Sequence, residues 1–196
     1  GTTINNILQP DIYKALVIHL SSRQKSMQEF ASHKPSLLAI SLTFIELQAM
    51  GYTSEGVDVF YANKAKDQKK EQGWLETPDE QIAFLAKLGG DDPNVIIEYT
   101  LKDIKKMPEM FAKLHSTWLA GDMQGMADVG ITPFKADYPI IYQDLLVTRN
   151  NNWLPKIVNM LNDQPTELIL VGALHLSGPD SVLTKLKAKG YKIEKL

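Results

Sequence analysis

The sequence predicts an α/β fold: a small, mostly parallel sheet, incomplete in this chain, with a large helical cap insert. Three observations carry that expectation. Glu167-Leu-Ile-Leu-Val-Gly172 is a continuous apolar run, the signature of a strand covered on both faces. Ser177-Gly-Pro-Asp180 then opens a helix that Gly190 closes, and Tyr191-Lys-Ile-Glu-Lys-Leu196 alternates like an edge strand. Most of the chain before this β–α–β unit shows helical periodicity instead. A right-handed crossover is expected between the two parallel strands. The count comes to about three strands against about seven or more helices, too few neighbours for so apolar a strand. Part of the sheet is therefore expected outside this chain, most simply before Gly1.

Taken in order, the first helix runs from about Pro10 to Phe30. Pro10 suits a first-turn position, and Ile12, Leu16, Leu20 and Met27 recur at helical spacing. His33-Lys34-Pro35 breaks it, and Ser36 to Met50 forms a second, largely buried helix ended by Gly51. Ser54 to Lys70 carries an apolar stripe (Val57, Phe60, Tyr61) and ends in lysines that read as a solvated last turn. Gly73-Trp-Leu-Glu76 is short and β-like. Thr77-Pro-Asp-Glu80 forms a Thr-x-x-Glu capping box for a helix that stops at Gly89-Gly90. Pro93 to Met126 is helical in pattern, with a kink or break at Pro108. Trp118 reads as a core aromatic. Tyr138 to Leu161 reads as two helices meeting near Asn150-Asn-Asn152.

With 196 residues and 22.0 kDa, the chain has room for one domain with a real core, so residues 1–196 are expected to form a single domain. Within it, residues 10–160 form the helical cap and 165–196 the C-terminal β–α–β unit. The 21 basic and 23 acidic residues nearly cancel, and no basic surplus points to nucleic acid. Cysteine is absent, which excludes disulfides, thiol catalysis and zinc–thiolate sites. No apolar run approaches the ~20 residues of a membrane-spanning helix.

Three residues are candidates for chemistry. His175 follows the apolar run in Gly172-Ala-Leu-His175, at the strand edge where open α/β sheets place their sites. Gly172 would allow a tight turn or close backbone approach. An imidazole at such a rim can ligate a metal or transfer a proton, or it can simply stabilise the turn. Glu76 ends a short β-like segment before a capped helix, where a carboxylate can hold a metal, act as a base, or support the helix N-terminus. Arg149 stands out by usage, because among 21 basic residues only Arg23 and Arg149 are arginine. A planar fork suits bidentate recognition of a carboxylate or oxyanion, or a plain salt bridge.

Several landmarks occur together and in order: Gly56-Val-Asp58-Val-Phe60; Gly73-Trp-Leu-Glu76-Thr-Pro-Asp-Glu80; Trp118-Leu-Ala-Gly121-Asp122; Arg149-Asn150-Asn-Asn-Trp153; and Val171-Gly-Ala-Leu-His175-Leu-Ser-Gly178-Pro179-Asp180. Over about residues 34–196 the chain resembles the TraB/GumN family, which includes the TIKI proteases. The resemblance implies an erythromycin-esterase/ChaN-like fold and a metal-dependent, peptidase-like hydrolase using manganese or cobalt. It implies His175 and Glu76 at the metal, and Glu76 and Arg149 as catalytic residues. The family pattern has two Gly-x-x-His motifs, of which only the second is present, so this chain is expected to be inactive alone. The resemblance also implies a peptide or small-molecule substrate and a periplasmic or extracellular location. An exposed sheet edge would favour a homo-oligomer. The alternative is a non-catalytic binding protein whose helical cap holds a partner.

Overall fold

The computed structural model describes residues 3–86, 92–163 and 166–195. In chain order its helices are α1 (Pro10–Ser22), α2 (Pro35–Ala49), α3 (Val57–Asp67), α4 (Pro78–Ala86), α5 (Pro93–Asp103), α6 (Met107–Ala120), α7 (Met123–Met126), α8 (Thr132–Asp137), α9 (Pro139–Tyr142), α10 (Arg149–Met160) and α11 (Val182–Ala188). Two π-helical turns, Ala127–Ile131 and Gln143–Thr148, join α7 to α8 and α9 to α10.

The α/β expectation is overturned: among the described residues there is no strand and no sheet, and the fold is helical. The reason lies in pairing. A strand exists only with a ladder partner, and no ladder hydrogen bond joins the run before Gly172 to residues 191–195. The predicted β-like Gly73–Glu76 segment is likewise irregular. The side chains of the apolar run still alternate. Ile169 and Val171 pack inward with Tyr191 and Ile193 on a core of Trp153, Ile157, Val182 and Leu186, while Leu168 and Leu170 are exposed. Helix packing thus captures one face of each segment without any sheet between them.

The chain divides into two compact units, Gly1–Ser54 with Pro78–Glu109, and Glu55–Thr77 with Met110–Leu196. In the first, α1 and α2 each pack on α5. The i, i+4 spacing of Ile12, Leu16 and Leu20 lines one face of α1, and Leu38 and Leu42 of α2 and Ile96 and Ile97 of α5 are buried as well. Proline at the start of α1, α2 and α5 fits a position whose N–H has no helical partner. The first helix is shorter than its sequence suggests. It stops at Ser22, where Gln24 takes a left-handed φ of 57°, and a separate 3-10 turn, Met27–Phe30, restarts under a Ser26/Glu29 capping box. The expected stop of α4 at Gly89-Gly90 lies outside the described residues.

In the second unit, α3 buries none of its residues, so Val57, Phe60 and Tyr61 do not form a core stripe. Trp118 is 47% exposed and stacks beside His115 rather than entering the core. The kink or break expected at Pro108 is a break: α5 ends at Asp103 and α6 starts at Met107, with Pro108 in its first turn. The expected break near Asn150-Asn-Asn152 is absent: helical structure continues from the π turn directly into α10 at Arg149.

Candidate functional site

The first turn of α10 supplies the centre of the site. Asn150, Trp153 and Ile157 follow at i, i+3 and i+7, which sets them on one face, and all three are buried. Arg149 lies four residues before Trp153, close enough for its guanidinium carbon to sit 4.9 Å from the indole centroid.

Glu76 reaches this helix from the loop before α4. Arg149 donates to it twice, from Nε to Oε1 at 2.8 Å and from Nη2 to Oε2 at 2.9 Å. Trp153 adds a third bond, Nε1 to Oε1 at 3.0 Å. The next residue back is anchored as well, because Lys156 donates to the Leu75 carbonyl at 2.7 Å. Charge-assisted, bidentate geometry of this kind fixes both side chains.

His175 arrives on the 3-10 turn Ala173–Leu176, closed by a His175 N–H bond to the Gly172 carbonyl at 2.9 Å. Its two neighbours anchor the turn in two different clusters. Leu174 packs on a core of Ala127, Ile131, Tyr142, Leu146 and Val147, and Leu176 packs on the Trp153 core. A Cβ on Gly130 would lie 2.7 Å from Leu174, so the missing side chain there makes room for that anchor. Gly172 has an ordinary φ of −55°, and a Cβ would meet only His175 at 3.6 Å, so the backbone does not require glycine there. Gly178 does need it: its φ is +80°, and a Cβ would press on Ile131 at 3.2 Å.

The imidazole lies against the Trp153 ring, with centroids 4.5 Å apart, and its Nδ1 is 2.7 Å from Asn150 Oδ1. Asn150 Nδ2 in turn donates to the Asp180 carbonyl at 2.9 Å. The Asp180 carboxylate is clamped by Lys135 at 2.9 Å and the Tyr142 hydroxyl at 2.8 Å. Burial pushes that carboxyl upward, but these two bonds and the lysine charge hold it below its usual value. Burial, then the Asp180 bond and charge, raise the Tyr142 phenol. The His175 pKa is lowered to about 4, chiefly by burial and then by the Arg149 charge, with Glu76 opposing. The ring is therefore neutral near pH 7.

Glu76, Arg149 and His175 thus come together around Trp153, although they are far apart in sequence. The expected fork of Arg149 is spent on Glu76. Arg23 behaves likewise in the first unit, gripping buried Glu46 at 2.7 and 2.8 Å, with His19 Nε2 3.0 Å from the same carboxylate. Asn150, Trp153, Tyr142 and Asp180 had no individual role in the sequence reading. Only the shared register of Asn150, Trp153 and Ile157 could have singled out the first of the three consecutive asparagines.

Among the described residues no group of three or more His, Asp or Glu side chains could hold a metal ion. No described helix is long and apolar enough to cross a membrane. No curated protein and no solved structure matches the chain. The TraB/PrgY/gumN family model matches residues 1–195, and the chain belongs to that family.

Proposed function

We propose that this chain carries part of the site of a metal-dependent hydrolase acting on peptide or ester bonds. The supporting observation is the convergence of Glu76, Arg149 and His175 on Trp153, with His175 neutral at physiological pH. A neutral imidazole with a low pKa is a poor general base at pH 7, but its lone pair is fully available to a Lewis acid. The residues that would hold manganese or cobalt are the His175 imidazole and the Glu76 carboxylate, whose oxygens also accept from Arg149 and Trp153. When bound, such an ion would polarise a carbonyl or activate water. Arg149 holds the Glu76 carboxylate in one orientation and places positive charge beside it.

Two donors fall short of the ~3 protein ligands of a typical catalytic metal site. The chain by itself is therefore expected to bind manganese only weakly. Calorimetry checks this, and submicromolar binding would refute it. Peptidase and esterase assays on the natural full-length protein test the reaction: activity should vanish with chelator, return with manganese, and be lost in His175→Ala. Activity indifferent to chelation removes the metal. A periplasmic or extracellular location belongs to the same proposal and rests on the family resemblance. The internal pairing of Arg149 with Glu76 favours a second reading, a non-catalytic binding protein in which the pair is structural. Absence of peptidase and esterase activity with manganese or cobalt supplied would favour it over the hydrolase.

A further inference from the structure

We infer that Asn150 is a positioning residue that fixes His175 in the Nδ1–H tautomer and so leaves the Nε2 lone pair as the working atom of the site. The use of that atom rests on the hydrolase reading; the tautomer does not.

The oxygen and nitrogen of the asparagine amide are told apart by their partners. One end faces the Asp180 carbonyl at 2.9 Å, and a carbonyl oxygen can only accept. That end must be the NH₂ group. The other end is therefore the amide oxygen, and it lies 2.7 Å from His175 Nδ1. An amide oxygen also only accepts, so Nδ1 must carry the proton. A neutral imidazole has one N–H, which leaves Nε2 bare.

The anchor of this relay is itself held. Lys135 and Tyr142 both bond the Asp180 side chain, which steadies the loop that presents the carbonyl. Asn150 is fully buried, so water cannot easily take the place of either partner. Leaving a buried polar end unpaired would cost ~1–3 kcal/mol, which opposes rotation of the amide. On the far side, Nε2 makes no hydrogen bond to a described residue, and His175 is half-buried rather than sealed in the core. In water the neutral histidine side chain prefers the opposite tautomer, with the proton on Nε2. The asparagine therefore imposes a form the ring would not choose alone.

The test is two-bond ¹H–¹⁵N correlation spectroscopy of the labelled, metal-free chain at pH 7. The chain has four histidines, and the His175 signals are identified by their loss in His175→Gln. The expected spectrum shows a protonated Nδ1 and a bare Nε2; the reverse pattern overturns the inference without any further variant. In Asn150→Leu the ring should switch to mostly Nε2–H, and an unchanged Nδ1–H tautomer overturns the positioning role. If that variant does not fold, Asn150→Asp carries the test, because it keeps an acceptor at Nδ1 in nearly the same shape. It should retain Nδ1–H, and a switch to Nε2–H overturns the inference. All of this is read without metal, so failure of manganese binding or of hydrolysis would sink the functional reading and leave the tautomer result standing.

Discussion

Replacing Glu76 by glutamine keeps the shape of the side chain and removes its charge. The consequences follow from three bonds. Glutamine Oε1 can still accept from Trp153 Nε1 and Arg149 Nε, but its NH₂ would face Arg149 Nη2, donor against donor, where the two atoms now lie 2.9 Å apart. Arg149 then keeps its charge in a site where its side chain is only 19% exposed, beside a partner 15% exposed. Breaking a buried pair by removing one member costs ~3–5 kcal/mol. Residual solvent access and the surviving Trp153 bond reduce this to about 2–3 kcal/mol. With a urea m-value of about 2 kcal/mol/M, the unfolding midpoint should fall by about 1–1.5 M. Fluorescence is a suitable probe, because Trp153 is 4% exposed while Trp74 and Trp118 are 74% and 47% exposed. In a double-mutant cycle, Arg149→Gln should cost at least about 1 kcal/mol less in the Glu76→Gln background than alone. A single-variant loss below ~0.5 kcal/mol, the range of an exposed ion pair, would show that the pair is not a buried one, as would strict additivity.

Two further outcomes are expected. The His175 pKa is about 4 in the folded chain against an ordinary 6.5, so between these values the unfolded chain takes up a proton that the folded one does not. Its contribution should be constant above about pH 6.5 and be lost as pH falls toward 4, by ~1–2 kcal/mol after allowing for solvent screening. The stability difference between wild type and His175→Gln, followed from pH 7 to 4.5, measures this, and a difference that does not change with pH contradicts it. Gly178→Ala should lower stability by about 1–2 kcal/mol, or ~2–8 °C in Tm, because φ is +80° and Ile131 blocks the new methyl group. Gly172→Ala should be nearly neutral, and equal losses at the two positions would undo this account of the His175 loop.

Much of the helical architecture was legible in the sequence, since its signals are local. Pro10, Pro35 and Pro93 mark starts that α1, α2 and α5 share, and Gly51 with φ +88° follows the end of α2. The failures are equally local. Val57, Phe60 and Tyr61 have helical spacing, but spacing only creates a face and cannot supply something to cover it. The apolar run before Gly172 signalled neither two-sided burial nor pairing: Ile169 and Val171 pack on the core from one face, while Leu168 and Leu170 are exposed.

By itself, the sequence determined where most helices begin, which residues have apolar periodicity, and that Glu76, Arg149 and His175 merit attention. The tertiary structure alone decided that Arg149 grips Glu76, that Trp153 touches both Glu76 and His175, and that Asn150 rather than Asn151 or Asn152 meets the imidazole. It also decided that no sheet forms among the described residues. The physical reason is range. Helix propensity and capping act within a few residues along the chain, whereas a strand ladder or an ion pair across 73 residues of sequence exists only when distant segments meet at hydrogen-bonding distance.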